Sequence, residues 1–333
     1  MANGSKDKIM SEAKKLVTIV SDYWAKPTVE HIEQWLDQFD SDIRLPLVTE
    51  VTHVLSKSYF SAKRTKSFLK KLISAPKLVG KDRAEFWKTA NLFNAQQGGQ
   101  SQGELLELFD SLLRDEVGFG LEKCGSKNGP VIYLDDLLLS GNRLVNDLRS
   151  WLPDEAPKNC ELYAIFMGLH SGGKFYAERA LTEMAAKAGK KLTPNFWRML
   201  PLENFSNSGA AADVYRLRKL PNDEATTRYI QEHVKGEPAF LRPEKESNRS
   251  KFFSSEEKRN FLEQTFWSMG LHIREIAGNL KQTHRPLGYT SVNSANKLGF
   301  GAVVVTYRNC PNNCPLAYWV GDPWYPLFER KTN

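Results

Sequence analysis

Apolar residues in the first part of the chain recur every three or four positions, a spacing that predicts helices. Thr28 can cap a helix whose stripe is Val29, Ile32, Trp35, Leu36 and Phe39. A second helix is expected over residues 41–58, with Leu45, Val48, Val51, Val54 and Leu55 turned inward. Ser61 opens a third, carrying Phe68, Leu69, Leu72 and Ile73, before Pro76 and Gly80 close the segment. Residues 1–83 therefore read as a helical N-terminal region. The aromatics on these stripes are core residues by default, and His31 and His53 read as packed or surface side chains.

From residue 84 the pattern changes. Short apolar runs alternate with amphipathic stretches. Asn94-Ala-Gln-Gln-Gly-Gly-Gln-Ser-Gln-Gly103 is an uncharged, glycine-rich loop leading into a helix over 104–114. In Val131-Ile-Tyr-Leu-Asp-Asp-Leu-Leu-Leu-Ser-Gly-Asn-Arg-Leu144, four apolar residues run into two acids, a Ser-Gly-Asn turn follows, and helical spacing resumes. A second buried strand is expected over 161–168, ending in Leu-His170-Ser-Gly-Gly173, then a helix over 174–188 and a third strand over 191–200. Strands alternating with helices across short loops predict an α/β fold with a parallel sheet flanked by helices. The α/β domain is expected to span 84–333. Within it, 203–252 is polar and reads as a surface insertion, 256–280 as a long helix, and 301–307 as a strand in a turn-rich C-terminal extension.

In parallel sheets ligands sit beyond the carboxyl ends of the strands. Asp135, Asp136 and His170 all fall there, so one site can hold all three. A strand–loop–helix turn offers backbone N–H groups to an anion, and two neighbouring acids can hold sugar hydroxyls, directly or through Mg²⁺. Together they describe a pocket for a phosphorylated sugar. Two acids at a strand end also suit metal-dependent phosphoryl transfer, or simply a solvated loop. His170 is a candidate acid/base, because imidazole titrates near neutrality; capping the next turn is its structural alternative.

Charge and composition narrow the classes. The chain of 333 residues is 41% hydrophobic and 26% charged, with a net charge of +7, which suits a globular protein and favours acidic partners. Lys63, Arg64, Lys66, Lys70 and Lys71 share one predicted helix, either a solvated face or a nucleic-acid contact. No apolar run approaches membrane-spanning length, and the N-terminus lacks the apolar core of a signal peptide, so no membrane association and a cytoplasmic location are expected. Cys310 and Cys314 flank Pro-Asn-Asn, but no second pair stands at zinc-ligand spacing; they read as two reduced thiols on a turn, with no zinc.

The segment Ile132-Tyr-Leu-Asp-Asp-Leu-Leu-Leu-Ser-Gly-Asn142 resembles the phosphoribosyl-pyrophosphate motif of type I phosphoribosyltransferases. That resemblance implies ribose hydroxyls on Asp135 and Asp136, and a 5-phosphate within Leu139, Ser140, Gly141, Asn142 and Arg143. It also implies a pyrophosphate loop at Gly98, Gly99, Gln100 and Ser101, and Mg²⁺ arriving with phosphoribosyl pyrophosphate or a nucleotide-like ligand. Leu298-Gly-Phe-Gly-Ala-Val-Val-Val, Asn309-Cys-Pro-Asn-Asn-Cys-Pro-Leu and Trp324-Tyr-Pro-Leu-Phe-Glu-Arg330 are similar to a divergent branch of that family from bacterial conflict systems. Its members occur in antiphage defence loci including some retrons. There, a reverse transcriptase with its RNA–DNA hybrid and a winged-helix protein are the implied partners.

Three departures separate this chain from nucleotide salvage enzymes. Leucine replaces an acid at 139, arginine replaces a small hydroxyl residue at 143, and the glycine-rich loop has no Lys or Arg. Three functions follow as expectations: an effector acting at ribose C1 or its pyrophosphate, an inactive nucleotide-sensing module, and a nucleic-acid binder using residues 63–71.

Overall fold

A computed structural model describes residues 2–94, 101–205, 212–234, 241–242, 250–291, 294 and 297–331. The chain divides into two compact units, one of residues 62–202 and one of residues 1–61 with 203–332. Residues of the expected helical segment 1–83 contribute to both units.

The chain begins with helices α1 (Ala2–Ile19), α2 (Val29–Leu36) and α3 (Arg44–Ser58), followed by a two-residue strand, β1 (Tyr59–Phe60). Thr28 caps α2, its hydroxyl accepting the His31 N–H at 3.2 Å, and Ile32, Trp35 and Leu36 turn inward. 

The 62–202 unit contains α4 (Ala62–Ile73), α5 (Pro76–Val79), α6 (Arg83–Thr89), β2 (Asn91–Phe93), α7 (Ser101–Val117), β3 (Val131–Leu138), α8 (Asn142–Asp147), α9 (Trp151–Asp154), β4 (Asn159–His170), α10 (Ser171–Lys187) and β5 (Lys191–Leu202). The strands form one parallel sheet in sequence order, β2-β3-β4-β5, with Tyr133 opposite Ala164 and Ala164 opposite Phe196. Parallel neighbours need crossovers, and each is helical here. Both faces are covered. Val131, Tyr133, Leu162, Ala164 and Phe166 pack with residues of α8, α9 and α10, whereas Ile132, Leu134 and Ile165 pack with Leu69, Trp87, Leu105 and Phe109. Burial on both sides explains why the central strands are nearly continuous apolar runs.

β3 does not end at its acids. Pairing with β4 continues through Leu137 opposite Gly168 and Leu138 opposite Leu169, so Asp135 and Asp136 lie inside the strand and the turn follows Leu138.

The other unit closes with α11 (Glu224–His233), α12 (Glu256–Ile276), the hairpin β6 (His284–Arg285) and β7 (Gly288–Tyr289), β8 (Val305–Thr306) and α13 (Leu316–Trp319). The expected strand over 301–307 is shorter than its apolar run suggests. Only Val305 and Thr306 pair, parallel to β1, while Ala302 makes a single bridge to Val214. At the start of the run Gly301 leaves the β region, with a φ of +74°, and a Cβ there would stand 2.0 Å from the Tyr215 carbonyl oxygen. Part of the polar 203–252 segment is interior rather than peripheral. Val214, Tyr215 and Leu217 are buried, and Arg242 and Arg259 close on the buried carboxylate of Glu263 at 2.7 and 2.9 Å. Arginine reads as surface in a sequence, but here paired charge carries it inside.

Candidate functional site

The carboxyl ends of β2, β3 and β4 lie along one edge of the parallel sheet. Asp135 is buried at 4% exposure, and its Oδ1 accepts the backbone N–H of Asp136 at 2.8 Å. Arg143 Nε stands 3.9 Å from its Oδ2, and the Arg143 side chain is half exposed. Successive strand residues leave on opposite faces. Asp135 therefore follows Val131 and Tyr133, Asp136 follows Ile132 and Leu134, and Asp136 is the more open of the two. Below Asp135, the Tyr133 hydroxyl donates to Asp147 Oδ2 at 2.7 Å. Burial, with Asp135 and Asp147 nearby, raises the phenol far above its ordinary pKa, so it remains a donor.

The turn after β3 is built by close backbone contact. Gly141 has a φ of +82° and precedes Asn142, whose N–H reaches Ser140 Oγ at 3.4 Å. A Cβ on Gly141 would lie 2.4 Å from the Gly173 carbonyl oxygen, and a Cβ on Gly173 only 1.9 Å from that of Leu139. The turn at 139–141 and the first turn of α10 consequently lie against one another. Only two glycines allow that approach.

His170 ends β4 immediately before α10. It is fully buried, makes no side-chain cap, and sets Nδ1 3.3 Å from the Leu138 carbonyl oxygen. Its visible role is to tie the ends of β3 and β4 together. Gly98, Gly99 and Gln100 lie outside the described residues, and Ser101 begins α7.

Sequence reasoning missed Gln102, Gly173, Phe175 and Tyr176. Gln102 is buried and its amide donates to the carbonyls of Phe93 (3.2 Å) and Leu134 (3.4 Å). β2 stops at Phe93, so this amide supplies hydrogen bonds where the neighbouring strand has run out. Nothing in the sequence distinguishes it from the other glutamines of the loop. Phe175 and Tyr176 are large exposed aromatics at the start of α10, and a Cβ on Gly141 would meet the Tyr176 ring at 3.2 Å. Their signal was the Phe-Tyr pair just after Ser-Gly-Gly-Lys.

A cleft of about 560 Å³ is lined by Asn94, Gly103, Glu107, Asp110, Leu121 and Cys124; its acids repel phosphate, and burial pushes the Cys124 thiol up to about 11. On α4, Lys63, Lys66, Lys70 and Lys71 are exposed and Arg64 is half-buried, but Lys70 pairs with Glu116 at 2.8 Å. Cys310 and Cys314 are buried free thiols in the other unit, and burial raises the pKa of Cys314. No helix among the described residues is long and apolar enough to cross a membrane.

A parallel α/β sheet with an acid-bearing strand, a glycine-dependent turn and a helix defines a phosphoribosyltransferase-like protein. The family model PRTase-CE matches residues 32–330, and the chain belongs to that family. No curated protein and no solved structure matches it.

Proposed function

We propose that this chain is an effector of a bacterial antiphage defence system that acts on a nucleotide or phosphoribosyl compound, at ribose C1 or at its pyrophosphate. The observation that carries the reading is the interlock of Gly141 with Gly173, which holds a short turn beside the buried Asp135. Ser140, Gly141, Asn142 and Arg143 surround the 5-phosphate, with Arg143 as a charge-assisted donor. Asp135 and Asp136 hold the ribose. Tyr176, exposed beside the turn, offers an aromatic face on which a nucleobase stacks.

Chemistry at C1 builds positive charge on the sugar. The buried carboxylate of Asp135 stabilises that charge where solvent does not screen it. Mg²⁺ accompanying a pyrophosphate fits through water at Asp136, the more open acid, whereas Asp135 already accepts a backbone N–H. When bound, it neutralises phosphate charge. The resemblance to phosphoribosyltransferases assigns the leaving group to the sequence Gly98, Gly99, Gln100 and Ser101. In a retron, the reverse transcriptase with its RNA–DNA hybrid and a winged-helix protein are the partners that hold the effector in check.

One observation favours a second reading, a nucleotide-sensing module without turnover: His170, the candidate acid/base, is fully enclosed. Metabolite profiling of cells expressing the protein separates the two. Phosphoribosyl pyrophosphate or nucleotides should be depleted by the parent and spared by the Asp135→Asn/Asp136→Asn double variant. Equal depletion by both would end the enzymatic assignment, and retained defence activity in the double variant would support sensing alone.

A further inference from the structure

The unit of residues 1–61 and 203–332 encloses a cationic side chain that the proposed reaction does not use. Arg285, in β6, is 1% exposed. A guanidinium carries five N–H donors and a permanent charge. Its Nε and Nη1 have no hydrogen-bond partner among the described residues. The ion-paired acids of α12 are committed to other arginines: Glu275 pairs with Arg228, Glu256 with Arg242, and Glu263 with Arg242 and Arg259.

Other cations collect around Arg285. Arg274, on α12, donates to the carbonyl of His284, and its guanidinium carbon lies 5.7 Å from the centre of the Tyr229 ring. Tyr229 packs on His233 with ring centres 4.7 Å apart and donates to the Lys297 carbonyl at 2.8 Å. Arg285 hydrogen-bonds the Tyr229 side chain from the hairpin side. Thus α11, α12 and the β6–β7 hairpin bring two guanidiniums and an imidazole to one tyrosine. The cations oppose one another: burial, then Arg274 and Arg285, hold His233 below its ordinary pKa, and burial with Arg285 lowers Arg274. One acid approaches the rim, Glu232, whose more than half-exposed carboxylate lies 3.6 Å from His233.

A buried guanidinium with two donor nitrogens unmet and no counter-charge is strongly unfavourable, and a bound anion would supply both. We propose that Arg285, with Arg274 and His233 beside it, binds the phosphate group of a small-molecule ligand at a site separate from the Asp135 turn. Phosphate suits the charge better than a carboxylate, because one dianionic group balances two guanidiniums and offers several acceptor oxygens. The site makes this unit a ligand-responsive part of the protein in its own right.

The test uses the purified full chain and inorganic phosphate as the probe, with chloride at matched ionic strength as control. Phosphate should bind the parent and raise its melting temperature. Arg285→Met should weaken that binding about 10- to 100-fold, and Arg274→Gln should weaken it as well. Arg285→Met should cause the same loss in an Arg143→Ala background, which separates the site from the turn after β3. In chloride alone, Arg285→Met should be as stable as the parent or more so, because it removes an uncompensated charge. The proposal is overturned if the parent does not respond to phosphate, or if Arg285→Met responds as the parent does. A variant that melts earlier in both buffers also overturns it, since Arg285 would then be purely structural.

Discussion

At Gly173 the smallest side chain does the most specific work. Any Cβ there would stand 1.9 Å from the Leu139 carbonyl oxygen and 3.2 Å from the Gly141 N, both backbone atoms that cannot swing aside. Gly173→Ala should therefore push the turn at 139–141 away from α10, costing about 1–3 kcal/mol, measurable by denaturant unfolding. Loss of ligand binding should exceed that loss of stability, because the displaced residues are those we propose to surround the phosphate. Unchanged binding in Gly173→Ala would separate the turn from function. The sequence displayed Ser140-Gly141-Asn142 as a turn because small and polar residues interrupt an apolar pattern. It gave no sign of the Gly173 contact, which depends on where α10 begins in space. The acids were equally visible, but their inequality was not. Asp135 is enclosed and Asp136 more open because the strand continues beyond both.

Among the elements, α4 shows how packing edits a charge pattern. Leu69, Leu72 and Ile73 turn inward, as the 3.6-residue spacing predicted, whereas Phe68 is only partly buried and Thr65, outside the expected stripe, is enclosed. Five basic residues on that helix suggested an electrostatic surface; Glu116 of α7 takes up Lys70, and burial lowers Arg64 from its ordinary pKa. Lys63, Lys66 and Lys71 remain on the surface. If this face docks nucleic acid, three phosphate contacts give a salt slope near −2.7, from about −0.9 per contact on duplex DNA. Replacing Lys63, Lys66 and Lys71 by glutamine should remove that slope in a salt titration of binding. The same slope in the substituted protein would move the contact elsewhere.

At the scale of the whole molecule, the least legible part was the segment at 203–252. Its polarity suggested an insertion, yet Tyr215 and Leu217 are core residues, and Arg242 is fully enclosed against Glu263. Glu263 also accepts the Arg216 backbone N–H at 3.0 Å and pairs with Arg259. Glu263→Gln should leave buried guanidiniums uncompensated and cost about 3–5 kcal/mol. Denaturant unfolding would give the loss, and hydrogen exchange should localise it to the unit of residues 1–61 and 203–332. A loss within 0.5 kcal/mol, the usual range for a surface change, would contradict the buried network.

The sequence by itself determined the α/β class, the strand that bears Asp135 and Asp136, the turn after it and the amphipathic helices. Those features follow from local periodicity, and neighbouring residues decide them. Tertiary structure alone decided which carboxylate is enclosed, that two glycines from different elements interlock, and that an arginine of a polar segment pairs inside a core. Each depends on residues far apart in the chain, whose burial and partners exist only once the backbone has brought them together.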